Sequence, residues 1–196
     1  MREITLEELK EVVANSFQGL NDSAYNQGRC IKIYNHWSAG HYGQFFDDYQ
    51  INIDRDGSIH LSVEDLSEVL SHTYHRNSGA VGVALACCVG ANTDNLGNEP
   101  PTAQQLEMLY QVNAVILKGV AIPADKEHLM THGEAADNED GLVASDPYGP
   151  NSTVERWDLE FLGTKESPSY NPSSQSGDRG GDIIRGKTEY YLQKLG

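Results

Sequence analysis

Residues 80–90, AVGVALACCVG, decide the fold class. The run is apolar, rich in small and β-branched side chains, glycine-flanked and far too short to cross a bilayer. It lacks the alternation of a half-exposed strand, so it reads as a strand buried on both faces inside a sheet. The next segment is helical. In EPPTAQQLEMLYQVNAVILKG (99–119) two prolines precede Thr102 and Gln105 at capping-box spacing; Leu106, Leu109, Val112, Val115 and Ile116 continue as one stripe, and Gly119 supplies the stop.

Upstream, CIKIYNHW (30–37) reads as a buried strand ending at His36 and Trp37. DYQINIDRDGSIHL (48–61) reads as a hairpin turning at Asp56-Gly57. Residues 5–18 form an amphipathic helix with Thr5 and Glu8 as its capping box. Residues 62–70, SVEDLSEVL, suit a short helix, and Arg76 and Asn77 read as turn residues leading into the central strand. Downstream, EHLMTH (127–132) is a short strand delivering His132, and residues 133–151 are a long acidic loop. In that loop Asp137 and Glu139 read as a solvated face. Residues 163–181 are Ser/Pro/Gly-rich and precede a closing helix over 182–195. Strands alternating with helices give an α/β protein with a mixed central sheet flanked by helices. One domain over 1–162, with 163–196 as a tail packed upon it, is the expected organisation.

Charge narrows the function classes. With 14 basic and 29 acidic residues the chain carries −15, which repels a phosphate backbone or an anionic membrane. Nucleic acid and membrane insertion are therefore not expected, and a monomer is the default. The first twenty residues mix charges with apolar positions and hold no continuous apolar core, so they do not read as a secretory signal, and synthesis in the cytoplasm is expected. Cys30, Cys87 and Cys88 are an odd set with two adjacent members, which suits reduced thiols better than a disulfide framework.

No HExxH or CxxC spacing occurs. Two histidines nevertheless stand out, since His36 and His132 each end a strand, and neighbouring strands in one sheet bring such ends to one edge. Two imidazoles with a carboxylate make a candidate open zinc site. The competing reading of each is a hydrogen-bonded strand-end histidine.

The order of segments resembles the type 2 N-acetylmuramoyl-L-alanine amidases, the family of phage lysozyme-type amidases, cytosolic recycling amidases and peptidoglycan recognition proteins. IKIYNHWSAG, DYQINIDRDGSI, HRNSGAVGVALAC, PPTAQQLEML, HLMTHGEA and RWDL succeed one another from about Ile31 to Leu162. The resemblance implies the peptidoglycan-recognition fold and one Zn²⁺ per chain, held by His36, His132 and Asp158. Asp146, in DPYGP, is a rival third ligand. It implies Tyr49 and Arg156 as catalytic residues, and Glu134 as a companion of His132 or a substrate contact. Trp37 and His72 are candidate groove residues; for Trp37, packing competes with stacking on substrate. Arginine at 156 departs from the lysine or threonine of relatives and binds an oxyanion without shuttling protons. The central strand offers no glutamate of the recycling type, which leaves more of that role to Tyr49.

The activity implied is hydrolysis of the amide between the lactyl group of N-acetylmuramic acid and L-alanine in peptidoglycan. A phage-type endolysin, released to the wall by a separate factor, fits best. A cytosolic recycling amidase and a non-catalytic peptidoglycan-binding module are the alternatives, because a scaffold alone does not set an activity.

Overall fold

The computed structural model describes residues 1–92, 94–142, 158–170 and 179–196. Its strands are β1 (Arg2–Ile4), β2 (Lys32–Trp37), β3 (Ile51–Ile53), β4 (Ile59–Leu61), β5 (Ala80–Leu85) and β6 (Leu129–Thr131). Its helices are α1 (Leu6–Asn26), α2 (Ala103–Gly119), α3 (His132–Ala136) and α4 (Gly180–Lys194). Among the described residues the strands form one six-stranded sheet in the order β1-β4-β3-β5-β2-β6. The pairings among β3, β5, β2 and β6 are parallel, while β4 pairs antiparallel with β1 and β3. The protein is thus α/β with a mixed sheet. β5, from the apolar run at 80–90, lies inside the sheet with every residue buried.

Local chemistry explains the elements. α1 and α2 both start at capping boxes, Thr5 with Glu8 and Thr102 with Gln105. α1 runs past the expected end at residue 18 to Asn26 and gives way at Gly28, whose φ of 65° suits a residue without Cβ. Residues 62–70 form turns rather than the expected helix. Leu66 is pinned there by its N–H to Ser16 Oγ of α1 at 2.8 Å. α4 packs on α2 and β6. None of the described helices is long and apolar enough to cross a membrane.

Alternation along β2 separates the two faces of the sheet. Ile33 and Trp37 join the main core with Val112 and Ile116 of α2. Asn35, between them in the alternation, exchanges amide hydrogen bonds of 3.0 and 2.8 Å with Asn113 of α2. Tyr34 takes the other face, in a small cluster with Ala80, Met130 and Ala135. His36 shares that face by the period of two.

Candidate metal centre

β2 and β6 run parallel with Asn35 opposite Thr131. The next residue along the chain from each is a histidine, so His36 and His132 emerge together at one sheet edge. Their Nδ1 atoms lie 3.2 and 3.1 Å from the same oxygen, Oδ2 of Asp158. The rings are 4.8 Å apart and 65° to one another. His36 and Asp158 side chains are fully buried, and the His132 side chain is 7% exposed, so the group meets the outside along the His132 side. The backbone N–H of Gly133 donates to the Asp158 carbonyl at 3.3 Å, tying the segment that carries the carboxylate to the start of α3.

The donor set suits a cation. Two imidazole nitrogens and a carboxylate oxygen lie within 4.8 Å of one another, the combination that binds zinc in open, three-ligand sites. A second gathering, Cys30, Glu127 and His128, occurs near the opposite ends of β2 and β6. Burial raises the Cys30 thiol above its ordinary value, which disfavours the thiolate that a metal would need.

Around the histidines lies a second layer. Thr73 Oγ1 is 3.3 Å from His36 Nε2 and 2.9 Å from His72 Nδ1, bridging the two rings. The His72 ring stands edge-on to His36 at 5.4 Å and lies against Gly82 of β5, where a Cβ would come within 2.7 Å of it. Burial, then the proximity of His36 and His132, holds its pKa well below the usual histidine value, leaving it neutral. Tyr49, just before β3, places its ring 5.0 Å from that of His36 and is 4% exposed.

Two expected contacts are not where the sequence put them. Trp37 is 3% exposed and packs in the main core, because the neighbour of His36 along a strand must face the opposite way. It is not available to stack on substrate. Glu134 is fully buried. Its carboxylate accepts from the Thr131 N–H at 3.0 Å, completing a capping box for α3, and from Arg185 of α4 at 2.8 and 2.7 Å. With both oxygens so engaged it meets neither substrate nor a histidine nitrogen. Arg156 and Asp146 lie outside the described residues.

Other residues prove structural. Arg76, expected as a turn residue, is 2% exposed and donates to both carboxylate oxygens of Asp140 at 2.7 and 2.9 Å. Asp137 and Glu139, expected as a solvated face, surround the Arg179 guanidinium together with Glu160. Thr73 gives no warning in the sequence; a threonine in a turn-rich loop carries no local sign that it will bridge two imidazoles.

No family model matches the sequence, and no curated protein matches it. Among solved structures the chain is similar to the endolysin N-acetylmuramoyl-L-alanine amidase LysCS from Clostridium intestinale URNW. The likeness has 20% identity and a TM-score of 0.39, over 53% of this chain and 69% of that one. A likeness of that degree assigns neither fold nor activity, and the functional reading stands on the site and on the order of sequence motifs.

Proposed function

We propose that the protein is a zinc-dependent N-acetylmuramoyl-L-alanine amidase of the phage endolysin type. The observation that carries this reading is the meeting of His36 Nδ1 and His132 Nδ1 on one oxygen of Asp158, buried at the edge of parallel strands. The motif order from Ile31 to Leu162 supports peptidoglycan as the substrate.

His36, His132 and Asp158 would hold the ion. Zinc held there would supply Lewis acidity toward the scissile carbonyl and toward a water nucleophile. The reaction adds water across the lactyl–alanine amide: the carbon–nitrogen bond breaks, the lactyl carbon ends as a carboxylate, and the alanine nitrogen leaves as an amine. Tyr49, beside His36, is the phenol that passes a proton to the departing nitrogen. Arg156, two residues before Asp158 in sequence, offsets negative charge on the carbonyl oxygen. Asp158, fully buried, fixes the pair of imidazoles, and the exposed part of the His132 side chain is the side left to substrate.

Zinc content and peptidoglycan hydrolysis, measured on the parent and on Asp158→Ala, test the proposal. One zinc per chain, lost together with hydrolysis in the variant, is the expected result. Retention of both in the variant moves the third ligand to Asp146 or elsewhere. A parent that neither binds zinc nor releases soluble wall fragments is no amidase.

A further inference from the structure

His72 holds a buried polar atom that nothing in the described protein uses. The residue is 5% exposed, and its Nε2 has no hydrogen-bond partner among the described residues. Leaving such an atom unmet forfeits its hydration with nothing in return. A native site that keeps one has something for it to meet.

The adjoining bonds identify which kind of atom it is. This step rests on the amidase reading, in which His36 gives its Nδ1 lone pair to the cation. A neutral imidazole bound to a metal through one nitrogen carries its proton on the other. His36 Nε2 therefore donates to Thr73 Oγ1, 3.3 Å away. Thr73 has one hydroxyl proton, and having accepted from His36 it donates that proton to His72 Nδ1 at 2.9 Å. Asn77 holds Thr73 in place, its Oδ1 accepting the Thr73 backbone N–H at 2.7 Å. His72 Nδ1 is then an acceptor, and the proton of the neutral ring sits on Nε2. The unmet atom is a donor.

We infer that His72 is a further catalytic residue whose Nε2–H donates a fixed hydrogen bond to the carbonyl oxygen of the scissile amide. An acyl oxygen, with its exposed lone pairs, is the substrate group that such a donor recognises. The ring is set against Gly82 and bridged through Thr73 to His36, so the direction of its N–H is fixed before substrate arrives. Being neutral, it strengthens the hold on developing negative charge without repelling the cation beside it. It keeps its proton throughout, and the transfer to the leaving amine belongs to another group.

The test begins with the zinc-loaded full chain labelled with ¹⁵N-histidine. Imidazole nitrogen shifts should show His72 protonated at Nε2 and bare at Nδ1; the opposite tautomer overturns the inference whatever the activity. His72→Phe keeps a ring and removes the donor, while His72→Gln restores an N–H. With zinc content unchanged, His72→Phe should lower kcat on peptidoglycan about 100- to 1,000-fold with little change in KM, and His72→Gln should recover part of the loss. A zinc-bound His72→Phe as active as the parent refutes the donor and leaves the amidase reading standing. A zinc-loaded parent without hydrolysis removes the amidase reading itself, and with it the carbonyl donor.

Discussion

Arg185 grips Glu134 by both carboxylate oxygens, at 2.8 and 2.7 Å, two residues beyond His132. The same carboxylate accepts the Thr131 N–H on the other side of that histidine, so the last helix of the chain braces the turn that presents a proposed ligand. The approach is close enough that a Cβ on Gly181 would stand 2.4 Å from Glu134 Oε1. Only glycine lets α4 begin there.

Glu134→Ala leaves Arg185 with only Asp182 and the Leu129 carbonyl as partners, and the loss should be about 1–3 kcal/mol in urea unfolding. Replacing both partners, Glu134→Leu with Arg185→Leu, should return most of it, since apolar packing substitutes well for a buried pair. A single variant as stable as the parent would show that the pair braces nothing.

Zinc should stabilise the chain by linkage. At free zinc about 100 times its Kd the gain is ~2.7 kcal/mol for a single site that only the folded state offers. Thermal melts of the parent with and without chelator read this gain directly, and His36→Ala should abolish it. An equal rise in the variant would place the ion at another site.

Gly82→Ala gives a test of sign. Gly82 lies in a strand and outside the left-handed region, where alanine ordinarily stabilises by about 0.4–1 kcal/mol. Here the new methyl would meet the His72 ring at 2.7 Å, and crowding of that kind costs about 1–3 kcal/mol. Destabilisation in urea, accompanied by a shift of the His72 imidazole resonances, is expected. A net gain in stability would mean that the ring does not lie against the strand.

Burial, with Glu160 nearby, pushes the Asp137 carboxyl up to about 6 from its ordinary 3.8, against the pull of Arg179. The folded state therefore holds this proton more tightly than the unfolded chain. The stability it contributes is complete below pH 3.8 and is lost as pH rises through about 6. Asp137→Asn, which cannot ionise, should gain Tm relative to the parent on going from about pH 4 to about pH 8. A Tm difference flat across that range contradicts the assignment.

The strands that carry the two histidines are legible in the sequence because apolar runs stop at polar tips, and two capping boxes mark the starts of α1 and α2. Which strands become neighbours is not. β6 has three residues, and its place beside β2 comes from the packing of the whole sheet. Asp158 is reachable only through family resemblance, since no spacing links it to His36. Glu134 differs from expectation despite a visible sign: Thr131-x-x-Glu134 repeats the Thr-x-x-Glu pattern of α1 and announces a helix start. Trp37 differs because its own strand imposes an alternation that turns it from the histidine beside it. The nine residues from 62 lack the caps and length that sustain a helix, and turns prevail.

The reciprocal amide pair of Asn35 and Asn113 has a bearing on assembly. Sliding β2 by one residue would turn Asn35 towards the opposite face, leave Asn113 unanswered inside the core, and swing His36 away from His132. Both penalties arise from a single misstep, so the arrangement proofreads itself. Under the proposed zinc reading, a chain that captures an ion between these histidines has already seated its central strand correctly, and metal uptake during refolding would be a direct clock for that event.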